Sequence, residues 1–554
     1  MENMDFDLRS IQEARELCRY GSIAAGRIAK YTEEQIDKIL RSMVKAAEEH
    51  AAELAQMAVE ETGFGKVLDK TYKNHAASTL LYNYIKDMKT QGVIREDPVN
   101  KMFEVADPVG LIMGIIPSTN PTSTVIYKAM IAVKARNAII FSPHPSALKC
   151  TLRAAQLMAQ AAVDAGAPSD TIGCLSMCSM QATNELMHHD AVKLIIATGG
   201  PGMVKAAYSA GKPAIGVGAG NSPSYIERTA DVKKAVSNII ASKTFDNGTI
   251  CASEQSIIVE ECNHDAVVAE LKAQGAYFLN QEELQKVCSL LFRNGHTMNA
   301  KYVGRSAKVI ADGAGIRVPD HTTVLIGLQS GVGEENPLSY EKLTCVLGFY
   351  VVRDWHEACE LSMKLLQNGI GHTMNLHTQD ENIVREFAVK PASRILVNTG
   401  GSMGGTGLST GLAPAFTLGC GTMGGSSVSE NVTPLHLINK KTVCYGIKEA
   451  VTLLCDDPTF HVNGASSMAN PACQIAPASP ISYSAGCSSC GCDIQSPASF
   501  ANNPLAAAHA ASVAGAQIAA ENIDSRNMAS SEEGINLEQL KDMINGLVNA
   551  MKGE

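Results

Sequence analysis

Phe245 to Glu254 read FDNGTICASE, a turn-prone stretch followed by one cysteine. Asn247 and Gly248 favour a turn. Thr249 and Ile250 then open an extended segment, which sets Cys251 at a loop–strand boundary with its thiol free to face a pocket. Cysteine is the strongest protein nucleophile near neutral pH because part of it is already thiolate. A lone cysteine is more commonly a small apolar core residue, so Cys251 needs its surroundings to decide the matter. A second signature is Gly199-Gly200-Pro201-Gly202, between an apolar strand-like run and a helix-like run. Glycines there let backbone N–H groups approach a phosphate at a helix N-terminus. The spacing is not GxGxxG, and a tight turn without a ligand fits it equally well.

The elements that must hold these residues follow from periodicity. Residues 8 to 30 and 33 to 60 read as two helices, the second with apolar residues at 36, 39, 40, 43, 44 and 47 on one face. Thr32 with Gln35 forms a capping-box pattern, and Gly63 and Gly65 end the run. Residues 93 to 115 alternate and carry Asp-Pro twice, which predicts extended segments with turns. From Asn137 onward strand and helix alternate: 138–143 strand, 146–165 helix, 193–198 strand, then the glycine turn and a helix. That alternation implies a parallel α/β sheet. A strand at 256–261 and a helix at 263–273 start a second α/β unit near 247.

A chain of 554 residues predicts two or more domains with ample core. Its 45% apolar and 18% charged residues describe a soluble globular protein. The net charge of −10, without a basic block, argues against nucleic acid as a partner. No apolar run is long enough to span a bilayer, and the acidic Met1 to Ser10 does not read as a signal peptide. The sixteen cysteines are irregularly spaced, which favours free thiols in a reducing cytoplasm. Cys487, Cys490 and Cys492, with Cys473 upstream, supply half of a zinc motif. The other half is missing nearby and the flanks are Ser, Ala and Pro, so they read as linker thiols and no metal site is predicted.

Three stretches carry a resemblance: IPSTNPTST at 116–124, ATGGPGMVKAAYSAGKPAIGVGAGNSP at 197–223 running on to FDNGTICASE, and LAPAFTLGCGTMGGSSVSENVTPLHLINKKTV at 412–443. Together they resemble the aldehyde dehydrogenase superfamily over about residues 8 to 450. The branch most resembled is the CoA-acylating one, which includes acetaldehyde and propionaldehyde dehydrogenases. The resemblance implies an α/β fold of Rossmann-like cofactor domain (1–246), catalytic domain (247–435) and an extended oligomerisation arm, about 94–107 with 436–455.

It also assigns roles. Cys251 matches the nucleophile and Asn120 the oxyanion asparagine. His372, in GIGHTMN, matches a histidine of the acylating branch, with a structural role equally open. Gly199, Gly200, Gly202 and Gly218 match the dinucleotide contact, and Glu341 the glutamate on the nicotinamide ribose. Ser142 and Pro143 match the turn at the adenosine ribose. Most relatives have Lys where Ser142 stands, so NAD is assigned with NADP not excluded. Thr249, Ile250, Asn398, Thr399 and Phe416 are expected to line the substrate pocket.

One departure is informative. Hydrolytic relatives carry a glutamate where Val217 stands, and Gly216 to Asn221 contain no carboxylate. Water, with a pKa of about 15.7, needs a strong activator. A thiol, at about 8.5, needs little. The missing base points to a thiol as acyl acceptor; the resemblance implies that this thiol is coenzyme A, that the substrate is a short-chain aldehyde and that the protein is a homo-oligomer, dimer or tetramer. Two alternatives stay open: an acyl-phosphate reductase of the same fold and an inactive assembly scaffold.

Residues 456–530 are rich in Ala, Ser, Asn and Pro and read as a linker. Beyond them, Leu537, Leu540, Ile544, Leu547 and Met551 form one apolar helical stripe. So short a helix is marginal alone in water and needs a partner. Residues 531–554 resemble the encapsulation peptides that carry enzymes into bacterial microcompartments. The expected location is the bacterial cytoplasm, inside such a compartment, with shell proteins or co-cargo enzymes as partners.

Overall fold

In the computed structural model, which describes Asp5–Lys448, the chain opens as helices. Helix α1 covers Phe6–Ile28, α2 Glu33–Glu49 and α3 Ala51–Thr62. Thr32 Oγ1 accepts from the Gln35 N–H while Gln35 Oε1 accepts from the Thr32 N–H, the expected reciprocal cap. The single helix expected over 33–60 is two. His50 leaves helical backbone at φ −110° and ψ 8°, and α3 restarts beyond it. Ile36, Ile39, Leu40 and Met43 of α2 are buried. Each such burial contributes about 1.5–3 kcal/mol. Next come α4 (Val67–His75) and the short α5 (Leu81–Ile85).

Strands β1 (Gly92–Asp97) and β2 (Met102–Pro108) form an antiparallel hairpin. A five-stranded parallel sheet follows: β3 (Leu111–Ile115), β4 (Ala138–Ser142), β5 (Ile172–Cys174), β6 (Val192–Thr198) and β7 (Ala214–Val217), in the order β5-β4-β3-β6-β7. Its crossovers are α6 (Pro121–Lys134), α7 (Leu148–Asp164), α8 (Met180–His188) and α9 (Pro201–Ser209). Both β3 and β4 are buried along their full length, as parallel strands covered on two faces must be. The strand order reverses between β3 and β6, and ligands bind at the carboxyl ends of strands at such a point.

The second sheet is also parallel. It contains β8 (Ser222–Ile226), β9 (Glu254–Glu260) and β10 (Ala276–Phe278). A two-residue pair, β11 (Phe292–Arg293) and β12 (Thr297–Met298), stands apart. Then come β13 (Val324–Leu328), β14 (Val346–Val352), β15 (Gly371–His377) and β16 (Ala392–Val397), giving the order β10-β13-β14-β9-β8-β15-β16. This corrects the boundary expected at 247. The chain changes sheets between Val217 and Ser222, because β8 pairs with both β9 and β15 in the middle of the second sheet. Helix α10 (Val232–Thr244) therefore also precedes that expected boundary while following the sheet change.

β17 (Ile438–Cys444) returns to pair antiparallel with β2, completing a three-stranded arm from the two segments expected to form it. Residues 449–455, the 456–530 segment, the 531–554 stripe and Cys473, Cys487, Cys490 and Cys492 lie outside the described residues. Among the described residues, no helix is long and apolar enough to cross a membrane.

Candidate active site

A cavity of about 260 Å³ lies where β3, β6 and β7 end. Its wall includes Asn120 after β3, Gly199 and Gly200 after β6, and Val217 and Gly218 at the end of β7. Thr249, Ile250, Cys251, Glu341 and Phe416 also line it. The glycine turn, the thiol, the carboxamide and the ribose glutamate of the sequence reading thus share one space.

Cys251 does not open a strand. β9 starts at Glu254, and Thr249 sits at φ −86°, ψ 30°. The residues before it turn sharply: Asp246, Asn247 and Gly248 are left-handed at φ 49°, 52° and 76°. Two of these are not glycine, so neighbours must hold them there. Asp246 N–H donates to Asp69 Oδ2 at 2.8 Å, and Asp246 Oδ1 accepts from the Lys66 N–H at 2.8 Å. Asn247 Nδ2 donates to the Gly304 carbonyl at 3.0 Å.

The thiol has a partner. Cys251 Sγ lies 3.1 Å from His372 Nε2, and His372 Nδ1 lies 2.8 Å from Thr373 Oγ1. Placing the imidazole proton on Nδ1 makes Nε2 the acceptor of the S–H. Burial, with Arg394 nearby, holds His372 well below the usual histidine range, so the ring is neutral and able to take a proton. Arg394 also donates to the His372 carbonyl at 2.9 Å. Burial pushes the Cys251 thiol up to about 12, and the Glu341 charge adds to this. The resting pair is therefore neutral, with His372 placed to take the thiol proton.

Asn120 sits at the N-cap of α6, with Pro121 as the first helical residue. Its Nδ2 donates to the Thr249 carbonyl at 2.8 Å and its Oδ1 accepts from Lys73 Nζ at 2.6 Å. Glu341 is half-buried, and its Oε1 accepts from the Gly220 N–H at 3.1 Å. Burial raises Glu341 to about 7, opposed by that bond and by Lys243 and Lys342. Gly220 is a close approach: a Cβ there would lie 1.9 Å from the Cys251 carbonyl oxygen and 3.4 Å from His372 Cγ. The segment changing sheets passes directly against the Cys251 loop.

Several expected contacts fall elsewhere. Ser142 is buried with its Oγ 2.9 Å from Thr183 Oγ1, and the Pro143 carbonyl accepts from Cys178 Sγ at 3.1 Å. Neither walls the cavity; His144, one residue on, does. Gly202 lies in the first turn of α9, off the wall. Asn398 spends its amide on Thr378, accepting from its N–H at 3.1 Å and donating to its carbonyl at 2.8 Å. Thr399 Oγ1 is paired with Ser409 Oγ at 2.6 Å. Neither residue walls this cavity. Lys70, Lys73 and Asp246 escaped the sequence reading. Their signal was two lysines three apart in DKTYK, on a helix face that is buried.

A thiol–imidazole pair, a carboxamide and a glycine turn thus share one cavity at a topological switch point. Residues 8–284 match the aldehyde dehydrogenase family. The chain belongs to that family. It is 51% identical over 422 residues to the bifunctional aldehyde-alcohol dehydrogenase of Escherichia coli, covering 75% of this chain and 47% of that one. The chain thus spans about half the length of that relative. An acetylating aldehyde dehydrogenase from Geobacillus thermoglucosidasius has a similar structure, with TM-score 0.79, 55% identity, and coverage of 80% of this chain and 99% of the other. A propionaldehyde dehydrogenase from the Clostridium phytofermentans fucose utilisation bacterial microcompartment gives TM-score 0.71 at 26% identity, over 78% of this chain and 97% of the other.

Proposed function

We propose that the protein is a CoA-acylating, NAD-dependent dehydrogenase of short-chain aldehydes. The observation that carries this is Val217 on the cavity wall, in a segment without a carboxylate, beside a thiol already paired with His372. Nothing at that position activates water against a thioester. The acetylating activity named for the Geobacillus relative supports the same acceptor.

The residues fit a dinucleotide. A Cβ added at Gly199, Gly200 or Gly202 would meet nothing within 4 Å, so a phosphate can approach the N-terminus of α9. Glu341 stands in the same cavity to receive ribose hydroxyls. A bound nicotinamide supplies the hydride acceptor. The chain does the rest. Cys251 S–H gives its proton to His372 Nε2 as sulfur bonds to the aldehyde carbon. Asn120 Nδ2–H donates to the oxygen that becomes negative. After oxidation, Cys251 carries the acyl group as a thioester. His372 releases its first proton to solvent; the CoA S–H then gives its proton to His372 Nε2 as its sulfur bonds to the acyl carbon, the Cys251–carbon bond breaks, the departing Cys251 sulfur takes that proton from His372, and acyl-CoA leaves.

Aldehyde and NAD without CoA should release a burst of about one NADH per site, then turn over slowly. CoA should restore steady turnover. Rapid acid formation without CoA would overturn the reading. Inorganic phosphate replacing CoA would install the acyl-phosphate alternative, and no NADH at all would leave the inactive scaffold.

The same reading extends to housing. Residues 531–554 bind a microcompartment shell protein or co-cargo enzyme; the apolar stripe of the sequence and the microcompartment origin of one relative support this. Truncation after about Ser530 should leave the soluble enzyme active and abolish co-purification with shells. Loss of activity on truncation would assign the segment to the enzyme itself.

A further inference from the structure

We propose that Lys73 is a positioning residue whose ammonium polarises the Asn120 carboxamide, making it a cation-assisted oxyanion donor. The proposal rests on the reading of Cys251 as the thiol that attacks an aldehyde.

Lys73 is fully buried on α4. Its Nζ lies 2.6 Å from Asn120 Oδ1, 2.5 Å from Asp246 Oδ2 and 3.2 Å from Thr249 Oγ1. These three partners use its three donors. A cation on an amide oxygen draws electron density from the amide nitrogen, and linked hydrogen bonds strengthen one another. One Asn120 N–H is committed to the Thr249 carbonyl at 2.8 Å. The other N–H makes a single contact among the described residues, a long one of 3.4 Å to Thr119 Oγ1, which an aldehyde oxygen in the cavity that Asn120 shares with Cys251 can displace. As negative charge grows on the aldehyde oxygen, that N–H becomes a stronger donor because of the charge behind it.

Charge balance shows that Lys73 is not there to neutralise Asp246. Asp246 Oδ2 also accepts from Lys70 Nζ at 2.8 Å and Thr249 Oγ1 at 2.7 Å, and Oδ1 accepts from the Lys66 N–H at 2.8 Å. One carboxylate thus faces two ammonium groups, and the cluster holds a surplus positive charge. The other groups facing it are Asp69, which takes the Asp246 N–H, Lys66 at 3.2 Å from Asp69, and the Phe245 ring, centred 5.4 Å from Lys73 Nζ. Burial pushes Lys73 down to about 8, against the pull of Asp246. The surplus charge is therefore present at neutral pH and lost as pH rises through that value.

The test compares wild type with Lys73→Met, which keeps the shape, and Lys73→Gln, which keeps one donor without charge. Each is read by alkylation of Cys251 with iodoacetamide, a displacement that builds no oxyanion, and by the aldehyde-driven NADH burst. Alkylation should stay within about twofold, while the burst slows about 10- to 100-fold in Lys73→Met and less in Lys73→Gln. Aldehyde KM should change little. The wild-type burst should lose rate as pH rises through about 8, and Lys73→Met should lack that limb. Equal loss of alkylation and burst would make Lys73 a structural prop and overturn the proposal. So would an unchanged burst, or a wild-type profile without the limb. A wild type that alkylates normally but gives no burst with any aldehyde would overturn the underlying reading instead.

Discussion

Cys251→Ala is expected to eliminate aldehyde oxidation, with CoA-dependent NADH formation falling at least about 10⁴-fold. Without the sulfur no covalent adduct with the aldehyde forms. Cys251 is the cavity-wall thiol held 3.1 Å from an imidazole that can take its proton. Cofactor affinity should stay within about twofold by NADH fluorescence titration, because Gly199, Gly200 and Glu341 are untouched. Appreciable CoA-dependent turnover by this variant would sink the mechanism. His372→Ala belongs to the same experiment. With the thiol raised to about 12, losing the proton acceptor should slow both alkylation and turnover by about 10²- to 10⁴-fold. Unchanged alkylation would move His372 from thiol activation to the later acyl transfer.

The second large effect is Asn120→Ala. Its kcat should fall about 10²- to 10³-fold, or roughly 2.7–4 kcal/mol, with little change in aldehyde KM. The oxygen carries full negative charge only after sulfur has attacked, so the ground state does not need the donor. The variant also strips Lys73 Nζ of its 2.6 Å partner and leaves a buried ammonium facing the gap. Steady-state kinetics decides the matter, and an effect confined to KM would reassign Asn120 to ground-state binding.

Only some strands were legible in the chain: those at 138–143, 193–198 and 256–261 stand out because buried parallel strands are continuous apolar runs, and AIIFS and KLIIAT are such runs. The place where the chain changes sheets was not. GVGAGNSP carries no periodicity, and only the pairing of β8 with β9 and β15 reveals the switch. Cys251, Asn120, Glu341 and the Gly199–Gly200 turn, each singled out from a contiguous motif, line one cavity. Asn398 and Thr399 do not line that cavity, because a motif reports neighbourhood along the chain and not side-chain direction. Lys73 and Asp246 lie 173 residues apart, and each alone reads as an ordinary charge. Their pairing appears only when α4 and the 245–249 turn are brought together.

The arm also sets an order of assembly. β2 is made early, at 102–108, yet its outer partner is β17, at 438–444. A ribosome adding about 5–20 residues each second leaves the two apart for roughly twenty seconds to a minute. Through that interval one edge of the β1–β2 hairpin offers unpaired backbone groups to any passing strand. Asp107, whose carboxylate is bridged by Lys441 once β17 arrives, keeps a charge on that edge meanwhile. The nascent protein is thus most exposed to mispairing while its catalytic half is being synthesised, and slowed translation between these segments should increase aggregation before it affects catalysis.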